Sequence, residues 1–249
     1  MTKNILITGA TSGIGKATAI RLAEEGNNLI LCGRRAEKLE ELKTSLSKKV
    51  KVETLIFDVR DRNDVEKHIN SLSPEFKEID VLINNAGNAH GFSPINEGEL
   101  DDWDAMIDGN VKGLLYVSKA IIPQMVKRRT GHIINISSVA GKQTYENGAV
   151  YCASKKAVEA ISEGMRLDLT KHKIKVTNIA PGAVETEFSE VRFKGDKDKA
   201  KMVYDGYEPL IAEDLADLIH YVVHLPERVT LADVTLYASA QSSPTTIHR

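Results

Sequence analysis

The sequence predicts an α/β fold, a doubly wound parallel sheet of about seven strands with helices on both faces. Short apolar runs of strand length alternate with stretches whose apolar residues recur every three or four positions, which is the pattern of βαβ units. The first run opens directly into a glycine-rich turn and a helix, as the leading unit of such a sheet does. No Pro/Gly/Ser-rich linker or internal repeat divides the 249 residues, so one domain is expected over 1–249.

In chain order, the expected strands are residues 5–8, 29–32, 52–57, 81–84, 132–136, 175–180 and 234–237. The expected helices are 16–25, 37–46, 65–72, 100–127, 150–170 and 213–224, each with one apolar face to bury. Residues 185–209, charged and glycine-containing, break this rhythm after Pro181-Gly182. They are read as an excursion over the site, because ligands of such sheets bind beyond the carboxyl ends of the strands.

Composition narrows the function classes. A net charge of -2 supplies no basic field for nucleic acid, and no Lys/Arg block suggests a membrane patch. The apolar runs fall far short of the roughly 20 residues of a membrane span. Cys32 and Cys152 form neither a CxxC pair nor a metal-like spacing, which fits a reducing cytoplasm, and the N-terminus lacks the succession of a signal peptide. The seven histidines are read as surface or structural, and no metal is expected.

The turn runs Thr8-Gly9-Ala10-Thr11-Ser12-Gly13-Ile14-Gly15. N–H groups at a helix start lack intrahelical partners and carry partial positive charge, and glycines let a pyrophosphate approach the main chain closely. The spacing is GxxxGxG and lacks the Lys-Ser/Thr ending of a triphosphate loop, which disfavours a kinase or ATPase. Arg34, nineteen residues beyond Gly15, and Arg35 stand where a dinucleotide-binding unit reads its ribose. No acid sits there to accept from two ribose hydroxyls, whereas a guanidinium fork complements a 2′-phosphate, so NADP is expected over NAD.

Tyr151 and Lys155 lie four apart within a helical pattern and so share one face. A phenol, with a reference pKa of about 10, needs about 4 kcal/mol of preferential phenolate stabilisation to lose three units, and a nearby ammonium supplies that sign of field. YxxxK alone is unspecific. Jointly, however, the turn from Thr8 to Gly15, Asn84-Asn85-Ala86-Gly87, Asn110, Ser138, Tyr151/Lys155 and Pro181-Gly182, in this order over nearly the whole chain, resemble the short-chain dehydrogenase/reductase family. The resemblance implies a Rossmann-like fold and a homotetramer with long helices at its interfaces. It further implies Tyr151 as general acid in reduction and base in oxidation, with Lys155 holding the nicotinamide ribose and depressing the tyrosine pKa. Ser138 would hydrogen-bond the substrate oxygen, and Asn110 would order its helix and a proton-relaying water. For the cofactor, the resemblance implies Gly9, Thr11, Ser12, Gly13, Ile14 and Gly15 at the phosphates, and Asn85, Ala86 and Gly87 against the adenine ribose. Asp58 and Val59 would lie beside the adenine, with Pro181, Gly182, Val184 and Thr186 over the nicotinamide. For Asp58 a strand-end turn or helix cap is an equal alternative.

Within the family, residues 186–196 resemble the NADP-dependent 3-hydroxy acid and serine dehydrogenases, although Glu185 departs from a stretch that tends to be glycine-rich there. The chain also lacks the Gly-Gly pair that follows the last strand in ketoacyl reductases. The expected activity is therefore interconversion of a small 3-hydroxy acid of the serine, allo-threonine or 3-hydroxypropionate type with its 3-oxo form. Arg192 or Lys194 would pair with the substrate carboxylate, the alternative being a solvated charge on a lid. A neutral ketone, aldehyde or sugar alcohol as substrate is the alternative activity, and a dinucleotide-sensing scaffold without turnover is the third reading.

Overall fold

The computed structural model describes residues 2–249; Met1, with which the expected single domain opens, lies outside the described residues. The N-terminal half runs β1 (Asn4–Thr8), α1 (Gly13–Glu24), β2 (Asn28–Gly33), α2 (Ala36–Leu46), β3 (Val52–Ile56), α3 (Arg62–Asn70), β4 (Val81–Asn84), α4 (Leu100–Ile107), a π-helical turn (Asp108–Gly113) and α5 (Leu114–Arg128). The remainder is β5 (Gly131–Ile136), α6 (Val139–Lys142), α7 (Ala149–Leu169), β6 (Ile174–Pro181), β7 (Val184–Glu185), α8 (Phe188–Arg192), α9 (Lys197–Met202), β8 (Leu210–Ile211), α10 (Ala212–Val223) and β9 (Asp233–Leu236).

All seven expected strands pair in parallel, in the order β3-β2-β1-β4-β5-β6-β9. Successive side chains of a strand point to opposite faces, and both faces are apolar here. Ile5 and Ile7 pack with Leu22 of α1, Leu39 and Leu42 of α2 and Ile219 of α10. Leu6 faces the other way, toward a layer built from Val65 of α3, Val117 and Ile121 of α5 and Leu169 of α7. The order in which successive strands are added reverses between β1 and β4, and the crevice beyond their carboxyl ends is where a doubly wound sheet binds its ligand.

One polar row crosses this apolar sheet. Asn84, Asn135 and Asn178 stand side by side on β4, β5 and β6. Asn84 Nδ2 donates to Asn135 Oδ1 and to Ser118 Oγ of α5, both at 2.9 Å. Asn135 Nδ2 donates to Ser162 Oγ of α7 at 2.9 Å, and Asn178 Nδ2 to Asp233 at 2.9 Å. The row thus fastens both long helices to the sheet.

Two differences from the sequence reading bear on the site. The helix expected over 100–127 is interrupted by the π-helical turn, where Gly109 and Gly113 weaken α-helical propensity. A Cβ on Gly113 would lie 2.7 Å from Val59 Cγ2, so the widened turn sits where the helix must pass close to the chain beyond β3. The excursion over 185–209 is not plain loop: it holds α8 and α9 and ends by pairing β8 with β7. None of the helices among the described residues is long and apolar enough to cross a membrane.

His132 of β5 is buried, with Nε2 2.9 Å from Thr177 Oγ1, and burial together with Lys175 and Lys3 lowers its pKa to about 3. Below the ordinary histidine value of about 6.5 the unfolded chain takes up a proton that the folded protein refuses. Its stabilising contribution is therefore complete above that value and declines as pH falls toward 3, by about 1.4 kcal/mol per pH unit. His132→Gln is expected to lose roughly 2–3 kcal/mol less than the parent between pH 6.5 and 4.5 in urea titrations. Equal losses would assign the acid sensitivity to another group.

Candidate active site

The turn after β1 is shaped by contacts a side chain would forbid. Gly9 and Gly13 adopt φ of 67° and 49°, and a Cβ on Gly15 would stand 2.4 Å from Gly9 O and 2.5 Å from Asn85 Nδ2. Thr8 Oγ1 accepts from the main-chain N–H of Asn85 at 3.0 Å and of Ala86 at 2.9 Å. Asn85 Nδ2 answers by donating to Thr8 O at 2.9 Å and Gly9 O at 3.2 Å. The Asn85 side chain is thus a staple between two strand ends, and Ala86 and Gly87 present main chain to the cleft. At the start of α1, Ser12 makes no side-chain cap, so the first N–H groups are not taken by it.

The corner beyond β2 is cationic. Arg35 Nε and Nη2 donate to Thr11 Oγ1 at 3.1 and 2.8 Å, Nη2 also to Ser12 Oγ at 2.6 Å, and Nη1 to Glu187 at 2.8 Å. Arg34 is the freer of the pair: its side chain is 66% exposed, and Asp58 approaches it only to 3.6 Å. Asp58 instead accepts from Arg60 through both the side chain, at 2.7 Å, and the main-chain N–H, at 3.0 Å. Burial works against the Asp58 carboxylate, but the Arg60 hydrogen bonds outweigh it and hold its pKa below the usual range. Asp58 makes the contacts of a strand-end turn and also lines the cleft, so both sequence alternatives stand, while Asp61 caps α3. Arg60 and Val59 line the cleft beside it; the sequence reading missed Arg60, whose signal was its place two residues after Asp58.

Ser138, Tyr151 and Lys155 meet at the other end of the same cleft, which has a volume of about 360 Å³ and is also lined by Pro181, Gly182, Val184 and Thr186. Ser138 ends the segment after β5 and caps α6, its Oγ accepting from Ala140 N at 3.1 Å. Tyr151 and Lys155 project from α7, both buried. Lys155 Nζ donates to Ile136 O at 3.0 Å, and burial brings its pKa down to about 8 against the opposing pull of Glu159. Burial raises the Tyr151 phenol above its ordinary value, the Tyr145 ring hydroxyl adds to this, and Ser138 pulls the other way. Asn110, carried by the π-helical turn, accepts from Asn88 N at 2.7 Å and donates to Asn88 O at 2.8 Å and Ser154 Oγ at 3.0 Å. It therefore braces the segment after β4 against α7. A Cβ on Gly87 would lie 3.0 Å from Asn110 Oδ1 and 3.3 Å from Lys155 Nζ, so a larger residue there would crowd both.

Tyr151 also borders a second cavity of about 390 Å³, lined by Phe92, Trp103, Met106, Asn147, Arg192 and Lys194 among others. Most of these were invisible to motif reading, because they come from four separated segments with no fixed spacing. Arg192, at the end of α8, stacks its guanidinium over Phe92 at 4.7 Å, Tyr151 at 5.6 Å and Tyr145 at 5.7 Å. Its Nε and Nη2 are buried without a hydrogen-bond partner among the described residues. Lys194 is not similarly free: its Nζ pairs with Asp102 of α4 at 2.9 Å, fastening the excursion to that helix together with a Gly91 N–H to Arg192 O bond of 3.0 Å. The excursion is also held from behind, where Tyr204 donates to Val184 O at 2.9 Å and Ala183 N donates to Gln241 Oε1 at 2.9 Å.

The glycine cradle, the uncapped helix start and the arginine corner form the donor set that a diphosphate with one further phosphate requires. No group of three or more His, Cys, Asp or Glu among the described residues is arranged to hold a metal ion.

The sequence model of the family described as short chain dehydrogenase matches residues 3–197. The NADP-dependent 3-hydroxy acid dehydrogenase YdfG of Salmonella typhi is 43% identical over 247 residues, 98% of this chain and 99% of that protein. Sulfoacetaldehyde reductase 2 of Chromohalobacter salexigens is 42% identical over 243 residues, 97% of this chain and 96% of that one. Among solved structures, the closed form of a serine dehydrogenase complexed with NADP+ superposes with a TM-score of 0.93 at 42% identity, covering 99% of each chain.

The contacts at Gly15 set a test of the cradle. Gly15→Ala must displace the Gly9 carbonyl or the Asn85 amide, an overpacking that costs about 1–3 kcal/mol and lowers Tm by roughly 2–12 °C in a chain of this size. Gly164→Ala in α7, whose Cβ meets nothing within 4 Å, is expected to leave Tm unchanged or raise it. Calorimetric scans of the two variants make the comparison.

Proposed function

The chain belongs to the short chain dehydrogenase family and is an NADP-dependent oxidoreductase acting on a CH–OH group, and from that premise we propose that its substrates are small 3-hydroxy acids, interconverted with their 3-oxo forms. The observation that carries the substrate reading is Arg192. It is a cation with no carboxylate within 4.0 Å among the described residues, stacked on the ring of Tyr151 and bordering the same cavity. A half-buried guanidinium with two buried, unmet donors costs stability unless an anion completes it, and a substrate carboxylate does so. Lys194, latched to Asp102, is a second cation at the rim.

NADPH, when bound, supplies a hydride to the carbonyl carbon, and NADP+ accepts it in the reverse direction. The residues proposed to hold it are the turn from Gly9 to Gly15 at the diphosphate, Arg34 and Arg35 at the 2′-phosphate, and Asn85, Ala86 and Gly87 with Asp58 and Val59 along the adenosine. Pro181, Gly182, Val184 and Thr186 close the nicotinamide end. Ser138 and Tyr151 donate hydrogen bonds to the substrate oxygen as negative charge develops there, and Tyr151 then gives up its proton. The raised phenol keeps Tyr151 protonated at neutral pH, the form needed for reduction. Lys155 supplies positive charge to the phenolate that results, and Asn110 keeps α7 and the segment after β4 in register with it.

A sulfonate would meet Arg192 in the same way, and the 42% identical relative named sulfoacetaldehyde reductase 2 favours an anionic aldehyde as the second reading. The homotetramer and the reducing cytoplasm belong to the proposal as well. Leu115 of α5 and Leu167 of α7 are exposed, the latter at 77%, and both cysteines are buried and free.

Cofactor absorbance followed with serine, allo-threonine, 3-hydroxypropionate, sulfoacetaldehyde and neutral secondary alcohols, with NADP and NAD in parallel, tests the assignment. Turnover of neutral alcohols alone would overturn it. Tyr151→Phe is expected to lower kcat for the 3-hydroxy acids by a factor of about 10²–10⁴. Oxidation by the parent enzyme should quicken as pH rises above 7, because the phenolate is its base. Arg192→Ala should raise KM for anionic substrates roughly tenfold or more and leave neutral carbonyls within a factor of about two. An unchanged KM for the acids would remove Arg192 from the substrate site.

A further inference from the structure

The excursion meets the cofactor corner through one carboxylate. Glu187, between Thr186 and α8, reaches across the cleft mouth to α2, where Oε2 accepts from Arg35 Nη1 at 2.8 Å and Oε1 from Lys38 Nζ at 2.9 Å. The hydrogen bonds from Lys38 and Arg35 hold its pKa at about 2, so it is anionic at any working pH. Arg35 does not depend on Glu187 for its position, because Thr11 and Ser12 fix the rest of its fork. Lys38 lies in the first turn of α2, whose Arg35 N-cap makes no side-chain cap, so the partial positive charge of the helix start adds to the two side chains.

Two fixed cations and an open helix start are what a phosphate monoester needs, and here a carboxylate from the excursion holds both cations. A phosphate dianion arriving a few ångströms from Glu187 meets like charge, while the carboxylate loses its partners to a stronger acceptor. We infer that Glu187 is an internal rival of the 2′-phosphate: the two anions compete for Arg35 and Lys38, and the phosphate frees the root of the excursion when it wins. Lys38 becomes a residue that sets cofactor choice, and Glu187 links that choice to the segment carrying Arg192. The inference rests on NADP binding at this corner. By linkage, the net stability of the Glu187 contact is subtracted from 2′-phosphate affinity, and the phosphate loosens the excursion by the same coupling free energy.

Calorimetric titration of NADP+, NAD+, 2′-AMP and 5′-AMP into the whole protein tests the rivalry. Glu187→Gln is expected to tighten NADP+ and 2′-AMP by roughly 3- to 10-fold, the scale of a partly exposed charge contact, with NAD+ and 5′-AMP within a factor of about two. Lys38→Met should weaken the two phosphorylated ligands by a similar factor. Glu190→Gln, the same charge change on α8 without a cation partner among the described residues, should alter none of the four. In hydrogen exchange, 2′-AMP should speed residues 185–192 of the parent protein but not of Glu187→Gln. Unchanged or weakened binding of the phosphorylated ligands to Glu187→Gln would overturn the rivalry while leaving the cofactor assignment standing. A parent protein that binds NADP+ and NAD+ equally would show that the cofactor assignment had failed first, taking the inference with it.

Discussion

The reciprocal hydrogen bonds between Thr8 and Asn85 carry more of this architecture than their number suggests. They join the carboxyl ends of β1 and β4, the two strands at which the order of strand addition reverses. One hydroxyl accepts two main-chain donors, and one amide satisfies two main-chain acceptors, so the glycine turn and the segment after β4 are held at a fixed separation. Everything on the floor of the cleft follows from that spacing. Gly15 has to lack a side chain because the Asn85 amide lies against it, and Gly87 because Asn110 and Lys155 do.

The site also tolerates charge in a largely apolar interior. Lys155 and Arg192 are brought to the cavities that Tyr151 borders by different means. Lys155 is fixed by a main-chain carbonyl and depressed by burial, and Arg192 is held by three aromatic faces. Among the described residues, neither is neutralised by a carboxylate at hydrogen-bonding range. A site that keeps its cations unpaired loses stability for as long as it is without ligand and recovers that loss in binding anions.

Much of this was legible in the sequence because it is local. Strand runs such as residues 5–8 and 81–84 are apolar on both faces and are bounded by turns, and all seven expected strands form. The turn from Gly9 to Gly15 and the pair Tyr151 and Lys155 are read from fixed spacings, and both ends converge on one cleft. What escaped was set by tertiary contact. The π-helical turn at Asn110 depends on the approach of Val59 and Asn88, which no periodicity records. Arg60, Lys38 and Glu187 carry ordinary surface charges in sequence and acquire meaning only from their partners. Arg192 and Lys194 could not be told apart by composition, and it took Asp102, about ninety residues earlier in the chain, to distinguish them.

The asparagine row across β4, β5 and β6 bears on how the second half of the sheet assembles. An apolar strand buried on both faces gains nearly as much by pairing one residue out of step, so burial alone specifies register weakly in such a sheet. Asn84, Asn135 and Asn178 change this, because only the native alignment lets each amide reach Ser118, Ser162 or Asp233. A slip by one residue would turn each amide to the opposite face of the sheet, away from those partners, at a penalty of about 1–3 kcal/mol for each unmet group. The row therefore works as a checksum on strand register, rejecting misaligned intermediates that hydrophobic collapse by itself would accept.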